Sequence, residues 1–151
     1  MQEVTVKQAT TPAEMEAIGA MRRKVFVEEQ GVAEALELDG LDDIAYHAVA
    51  YCHGLIVGTG RLLVQSNGDA LIGRMAVNKD SRRTGIGGRV LEFLENAASA
   101  MGADRIILHA QYYVRQFYLI AGYTMDGEPF EEAGIQPVSY THLTLPTSDL
   151  V

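Results

Sequence analysis

The chain holds little that would tie it to a disulfide framework, a membrane or a nucleic acid. Its one cysteine, Cys52, can form neither an internal disulfide nor, alone, a metal site, which makes a reducing cytoplasm the expected compartment. No apolar run approaches membrane-spanning length. The N-terminus has no basic segment followed by an apolar one, so the protein reads as soluble and unexported. Cations are scarce, with 12 Lys and Arg against 20 Asp and Glu, for a formal charge of -8. That balance argues against a nucleic-acid surface, which needs a basic face to neutralise phosphates. It remains compatible with a cationic or neutral small acceptor. His47 and His53 lack ligand spacing, so no metal is expected. There is no internal repeat.

What is present suits one globular domain. The 151 residues can bury a core without staples, and 48% hydrophobic with 21% charged residues is an ordinary balance. Residues 1–138 read as that domain. Glu3 to Lys7 alternates as a short strand. Thr11-Pro12-Ala13-Glu14 is then a helix start: a capping threonine, proline at the first helical position, and a glutamate that closes the capping box. Met15, Ile18, Arg22, Val25 and Phe26 fall near one face, and Gly31 is a plausible stop. Leu38 to Ile44 reads as an acidic loop.

Tyr46 to Cys52 and Leu55 to Val64 read as strands joined at His53-Gly54. Asn67-Gly68-Asp69 is a second turn, leading to a strand from about Ala70 to Val77, so an antiparallel meander is expected. After Gly87 the period becomes helical, with an apolar stripe of Val90, Leu91, Leu94, Ala97, Ala98 and Met101 closed by Gly102. Arg105 to Ala110 reads as a buried strand, reached by a right-handed crossover that favours parallel pairing. A short helix from Val114 to Ala121 ends at Gly122, and Tyr123 begins a further strand. The tail, Ser139 to Val151, is rich in Thr and Ser and atypical. It resembles adapter-derived, non-native sequence, although Tyr140 to Leu145 can form a final strand.

The functional signal is Arg82-Arg83-Thr84-Gly85-Ile86-Gly87-Gly88, set between a strand and a helix. A helix start offers unpaired N–H groups and partial positive charge to an anion. Gly85 and Gly87 remove side chains that would block a diphosphate. Lys79, Arg82, Arg83 and Arg89 make the region basic on an acidic chain. A Walker loop is excluded, because Arg89-Val90 stands where lysine and serine or threonine are required. A dinucleotide fingerprint fits poorly after an antiparallel meander. A glycine-rich turn with solvated arginines accounts for the same letters.

Arg82, Gly85 and Gly87 match the coenzyme loop of the GNAT N-acetyltransferase superfamily, which the chain resembles over about residues 3 to 138. Arg74-Met75-Ala76-Val77, Phe117-Tyr118 and Gly122-Tyr123 extend the resemblance. The stretch from Arg22 to Gly31 is similar to a bacterial ElaA/YjcF-like subgroup. The resemblance implies a mixed α/β fold, with a largely antiparallel sheet flanked by helices and a splayed central strand pair. It implies acetyl-CoA as co-substrate, a small-molecule or peptide amine as acceptor, and a homodimer among the assemblies it allows. Met75, Ala76 and Val77 would meet pantetheine through their backbone. Arg82, Arg83, Thr84, Gly85, Ile86, Gly87 and Gly88 would hold the diphosphate, and the Val77 N–H would face the thioester oxygen.

By the same resemblance Tyr118 is the candidate acid for the leaving thiolate, against its plainer reading as a packing residue. Glu29, or its neighbour Glu28, is the candidate base, against a solvated helix end. Arg22, Phe26 and Gln30 are candidates for the acceptor side, with Arg22 alternatively paired to an acidic neighbour. His109 is a candidate proton relay or a satisfied histidine. Cys52 is expected as a small buried hydrophobe rather than a nucleophile. A non-catalytic acyl-CoA sensor is the alternative function.

Overall fold

The first helix begins where its cap dictates. Glu14 N–H donates to Thr11 Oγ1 at 3.1 Å, and Glu14 Oε1 accepts in return from Thr11 N–H at 3.2 Å, closing the box with Pro12 in the first turn. The computed structural model describes residues 3–32, 38, 40–111, 115–131 and 139–146. Val114 and residues 147–151, which the sequence reading touches, lie outside them. In order run β1 (Val4–Gln8), α1 (Pro12–Arg22), α2 (Arg23–Glu29), β2 (Tyr46–Cys52), β3 (Leu55–Val64) and β4 (Asp69–Val77). Then follow α3 (Ile86–Ala100), β5 (Arg105–Gln111), α4 (Arg115–Ile120), β6 (Thr124–Glu131) and β7 (Ser139–Pro146).

The seven strands form one mixed sheet in the order β1-β2-β3-β4-β5-β7-β6. Every neighbouring pair is antiparallel except β4 and β5. The β2–β3 turn is the expected one, with His53 (φ 52) and Gly54 (φ 77) both left-handed as a two-residue hairpin requires. Gly102 (φ 84) ends α3 as expected.

The long N-terminal helix is corrected in its second half. From Arg23 it widens into π-helix, with Gln30 N–H reaching back five residues to the Val25 carbonyl at 3.1 Å. Ile18, Arg22 and Val25 are still buried, so one apolar face serves both windings. Within the expected acidic loop, Asp42–Ile44 makes one 3₁₀ turn.

The α3 stripe packs as expected at Val90, Leu91, Leu94 and Ala98, whereas Met101 is exposed and Glu95 is buried. Contact with β3 is close. A Cβ at Gly60 would stand 2.7 Å from Leu94 Cδ1 and from Met75 Sδ, and one at Gly58 would stand 2.9 Å from Ile86 Cγ2. The tail is drawn into the sheet. β7 runs between β5 and β6, pairing Ile106 with Leu145 and Leu108 with Leu143, and both leucines are buried in the core.

Candidate active site

β4 and β5 pair for only three residues, Asp69–Leu71 against Arg105–Ile107. Beyond them β4 continues to Val77 and β5 to Gln111 with no further pairing between the two. The splay that the resemblance implied is therefore present. β4 also carries a bulge against β3: Thr59 pairs with Ala76 and Arg61 with Gly73, leaving one extra residue on β4. Arg74 absorbs it with φ 51, a conformation that is costly outside glycine.

The Val77–Asn78 peptide that ends β4 is held at both polar atoms. Asn78 N–H donates to the Val57 carbonyl at 2.9 Å, and Arg82 Nε donates to the Val77 carbonyl at 2.9 Å. The loop then turns through Lys79–Ser81, and Thr84 Oγ1 donates to the Ser81 carbonyl at 2.6 Å. Arg83 (φ 64) and Gly85 (φ 85) are left-handed, and Gly85 caps α3 without a side chain over its first amides. Nothing lies within 4 Å of where a Cβ would sit on Gly85 or Gly88, and Ile86 is anchored in the core. The glycines thus leave the amide-bearing start of α3 open, as a diphosphate needs. Arg89, counted with the basic cluster from sequence, instead donates to the Val4 carbonyl at 2.6 Å and serves β1.

Across the opening stands Phe117 of α4, 41% exposed. A Cβ on Gly87 would lie 3.6 Å from Phe117 Cζ and 3.7 Å from Val77 Cγ2, so both side chains border the start of α3 at Gly87. Tyr118 is 9% exposed, with its ring edge-on to Phe117 at 4.9 Å and to Tyr123 at 5.9 Å. Burial pushes the Tyr118 hydroxyl up to about 12, which keeps its proton in place at neutral pH. Behind it lie Glu95 and Tyr123. Glu95 Oε2 and the Tyr123 hydroxyl are buried without a hydrogen-bond partner. They are near enough to interact yet short of hydrogen-bond geometry. Burial raises the Glu95 carboxyl, the Tyr123 hydroxyl opposes that shift, and Glu92 adds to it.

Glu29, the candidate base, is engaged: its Oε1 accepts from Arg82 Nη2 at 2.8 Å. Glu28 is exposed. Of the two roles open to Arg22, the pair is present. Arg22 is 2% exposed and donates to Asp42 Oδ1 at 2.8 Å, where Arg61 also donates at 3.1 Å. Burial opposes ionisation of Asp42, but the two guanidinium groups outweigh it and hold the carboxyl below its usual range. The His47 ring joins this cluster through Nε2, 2.9 Å from the Asp42 carbonyl. Phe26, in the middle of α2, and Gln30, just past its end, are half-buried. His109 lies in β5 in register with His142 of β7, His53 is exposed on its turn, and Cys52 is buried. No group of three metal-ligating side chains gathers among the described residues.

An open groove of about 690 Å³ lies between the start of α1 and the β2–β3 hairpin and reaches Asn78 at the end of β4. Its acid, Glu14, is already engaged by Lys7, Tyr51 and the amides of Thr10 and Thr11.

Sequence reading missed the bulge at Arg74, the Asp42–Arg61 contact and the burial of Glu95. Only Glu95 left a signal, four positions after Leu91 and three before Ala98 on the buried face of α3.

Residues 6–143 match the family model described as an acetyltransferase (GNAT) domain. The uncharacterized N-acetyltransferase YjcF of Bacillus subtilis is 38% identical over 116 residues, covering 76% of this chain and 82% of YjcF. An acyl-CoA N-acyltransferase from Pseudomonas aeruginosa superposes with a TM-score of 0.79 at 28% identity, covering 95% of this chain and 99% of that one. The fold is shared with an aminoglycoside 6'-N-acetyltransferase complexed with coenzyme A, at a TM-score of 0.78 and 14% identity over 95% of this chain and 97% of that one.

Proposed function

The chain belongs to the GNAT acetyltransferase family, and from that premise we propose that it transfers an acetyl group from acetyl-CoA to an amine of a small molecule or peptide by direct attack. The observation that carries this reading is the parting of β4 and β5 after three residue pairs, beside a loop whose glycines leave the start of α3 open.

Those residues fit the coenzyme. The amides from Arg83 to Gly88 are the diphosphate donors in this reading, with the Arg82 and Arg83 side chains beside them. The unpaired edge of β4 at Met75, Ala76 and Val77 offers backbone groups to a pantetheine arm, much as a neighbouring strand would. When bound, acetyl-CoA supplies an activated acyl group whose thiolate can leave. The Val77 N–H is the proposed donor to the thioester oxygen, where negative charge grows as the amine nitrogen attacks. As the carbon–sulfur bond breaks, the Tyr118 hydroxyl gives its proton to the sulfur, and the proton released by the acylated nitrogen passes through water to restore the hydroxyl. Phe26 and Gln30 are the proposed acceptor-side residues, with Arg22 supporting them from its pair with Asp42.

A thermal-shift titration with acetyl-CoA, desulfo-CoA and ATP tests the reading. Stabilisation by both coenzyme forms but not by ATP is expected. No shift at millimolar acetyl-CoA would sink it.

A further inference from the structure

Glu29 and Arg82 are 53 positions apart, yet their side chains meet at 2.8 Å. The same guanidinium spends its Nε on the Val77 carbonyl at 2.9 Å. Arg82 therefore bridges the last residue of α2 and the last residue of β4. It does so immediately before Arg83, whose left-handed backbone (φ 64) persists only where neighbours hold it. A guanidinium left with one partner would be free to swing, and the peptide it holds would lose one of its two anchors.

We propose that Glu29 is a positioning residue for the coenzyme loop: its carboxylate fixes Arg82, which fixes the end of β4. This assigns Glu29 to loop geometry in place of the general-base role expected from sequence, and it rests on the coenzyme site proposed above. The α2 end and the diphosphate loop are then set as one unit. Reorganisation that coenzyme binding would otherwise require is settled beforehand.

The sign of one substitution separates this inference from plain electrostatics. Glu29 brings negative charge towards a loop that receives a diphosphate, so charge alone predicts tighter coenzyme binding when it is removed. The latch predicts weaker binding.

Calorimetric titration of the full chain with coenzyme A decides between them. Glu29→Ala should weaken binding about two- to five-fold, the scale of a partly exposed ion pair. Glu29→Gln keeps the shape and an acceptor oxygen for Arg82, so it should fall between Glu29→Ala and the parent, and it serves if the alanine variant folds poorly. Glu28→Ala removes the same charge one residue away and should leave affinity near the parent value. In an Arg82→Ala background, Glu29→Ala should cause no further loss. Unchanged or tighter binding by Glu29→Ala, or full additivity in the double variant, overturns the inference while leaving the coenzyme site standing. Failure of the parent chain to bind coenzyme A overturns the site itself, and the inference with it.

Discussion

Tyr118, 9% exposed between two aromatic rings, keeps its proton at neutral pH and so starts as a donor, while the same burial makes that proton harder to release. Tyr118→Phe keeps the ring that makes both contacts and removes the hydroxyl with its proton. Turnover should fall on the order of 10²-fold, while calorimetric affinity for coenzyme A stays within about two-fold. Unchanged turnover would return Tyr118 to packing alone. Glu95 tests burial in the other direction. Its carboxyl is raised above the ordinary 4.5, so the stability it contributes is complete below that value and is lost as pH rises through the folded-state value. Thermal midpoints of Glu95→Gln and the parent should agree near about pH 4 and diverge above it, in favour of the variant; parallel curves would refute the shift. Tyr118 was singled out through the family resemblance that Phe117-Tyr118 and Gly122-Tyr123 carry, since a tyrosine at helical spacing reads on its own as packing. The Arg22–Asp42 pair was open because nothing local names a partner 20 positions away.

Among the elements, those fixed by adjacent residues were read well and those fixed by distant contact were not. The capping box at Thr11 and Glu14, the turn at His53-Gly54 and the stop at Gly102 each depend on a few neighbouring letters. The bulge at Arg74 depends on the register of β4 against β3, and Ile18, Arg22 and Val25 satisfy an α or a π winding of the first helix equally over so short a span. The seam between α3 and β3 belongs to this second kind. At Gly60 the absent side chain lets Leu94, Val90 and Met75 close over the strand. Gly60→Ala should push α3 from β3 and cost about 1–3 kcal/mol in urea denaturation. A cost under about 0.5 kcal/mol would mean that the flexible Leu94 and Met75 ends simply move aside.

For the whole molecule, the two turns and the crossover supplied the meander and the parallel pair, and the family resemblance added the splay of that pair. The order β5-β7-β6 joins the chain's last described strand to its middle, a pairing with no local signature. Ser139 to Val151 looked foreign in composition, yet Leu143 and Leu145 alternate as a buried strand face should, and that alternation was its only structural cue. Leu143 is 0% exposed, so Leu143→Ala should destabilise the protein by about 2–5 kcal/mol in equilibrium denaturation. A loss under about 1 kcal/mol would show that the rest of the sheet stands without this strand's packing.

The brief pairing of β4 with β5 has a mechanical consequence. Four strands on one side and three on the other share a seam three residues long, with α3 as the connecting piece of chain. The sheet is thus two groups of strands joined at one end and parted along the other margin, like the covers of a book. In the proposed function, a slender molecule entering from that margin would touch both covers at once and tie them together, so the rigidity of the sheet would depend on what it holds.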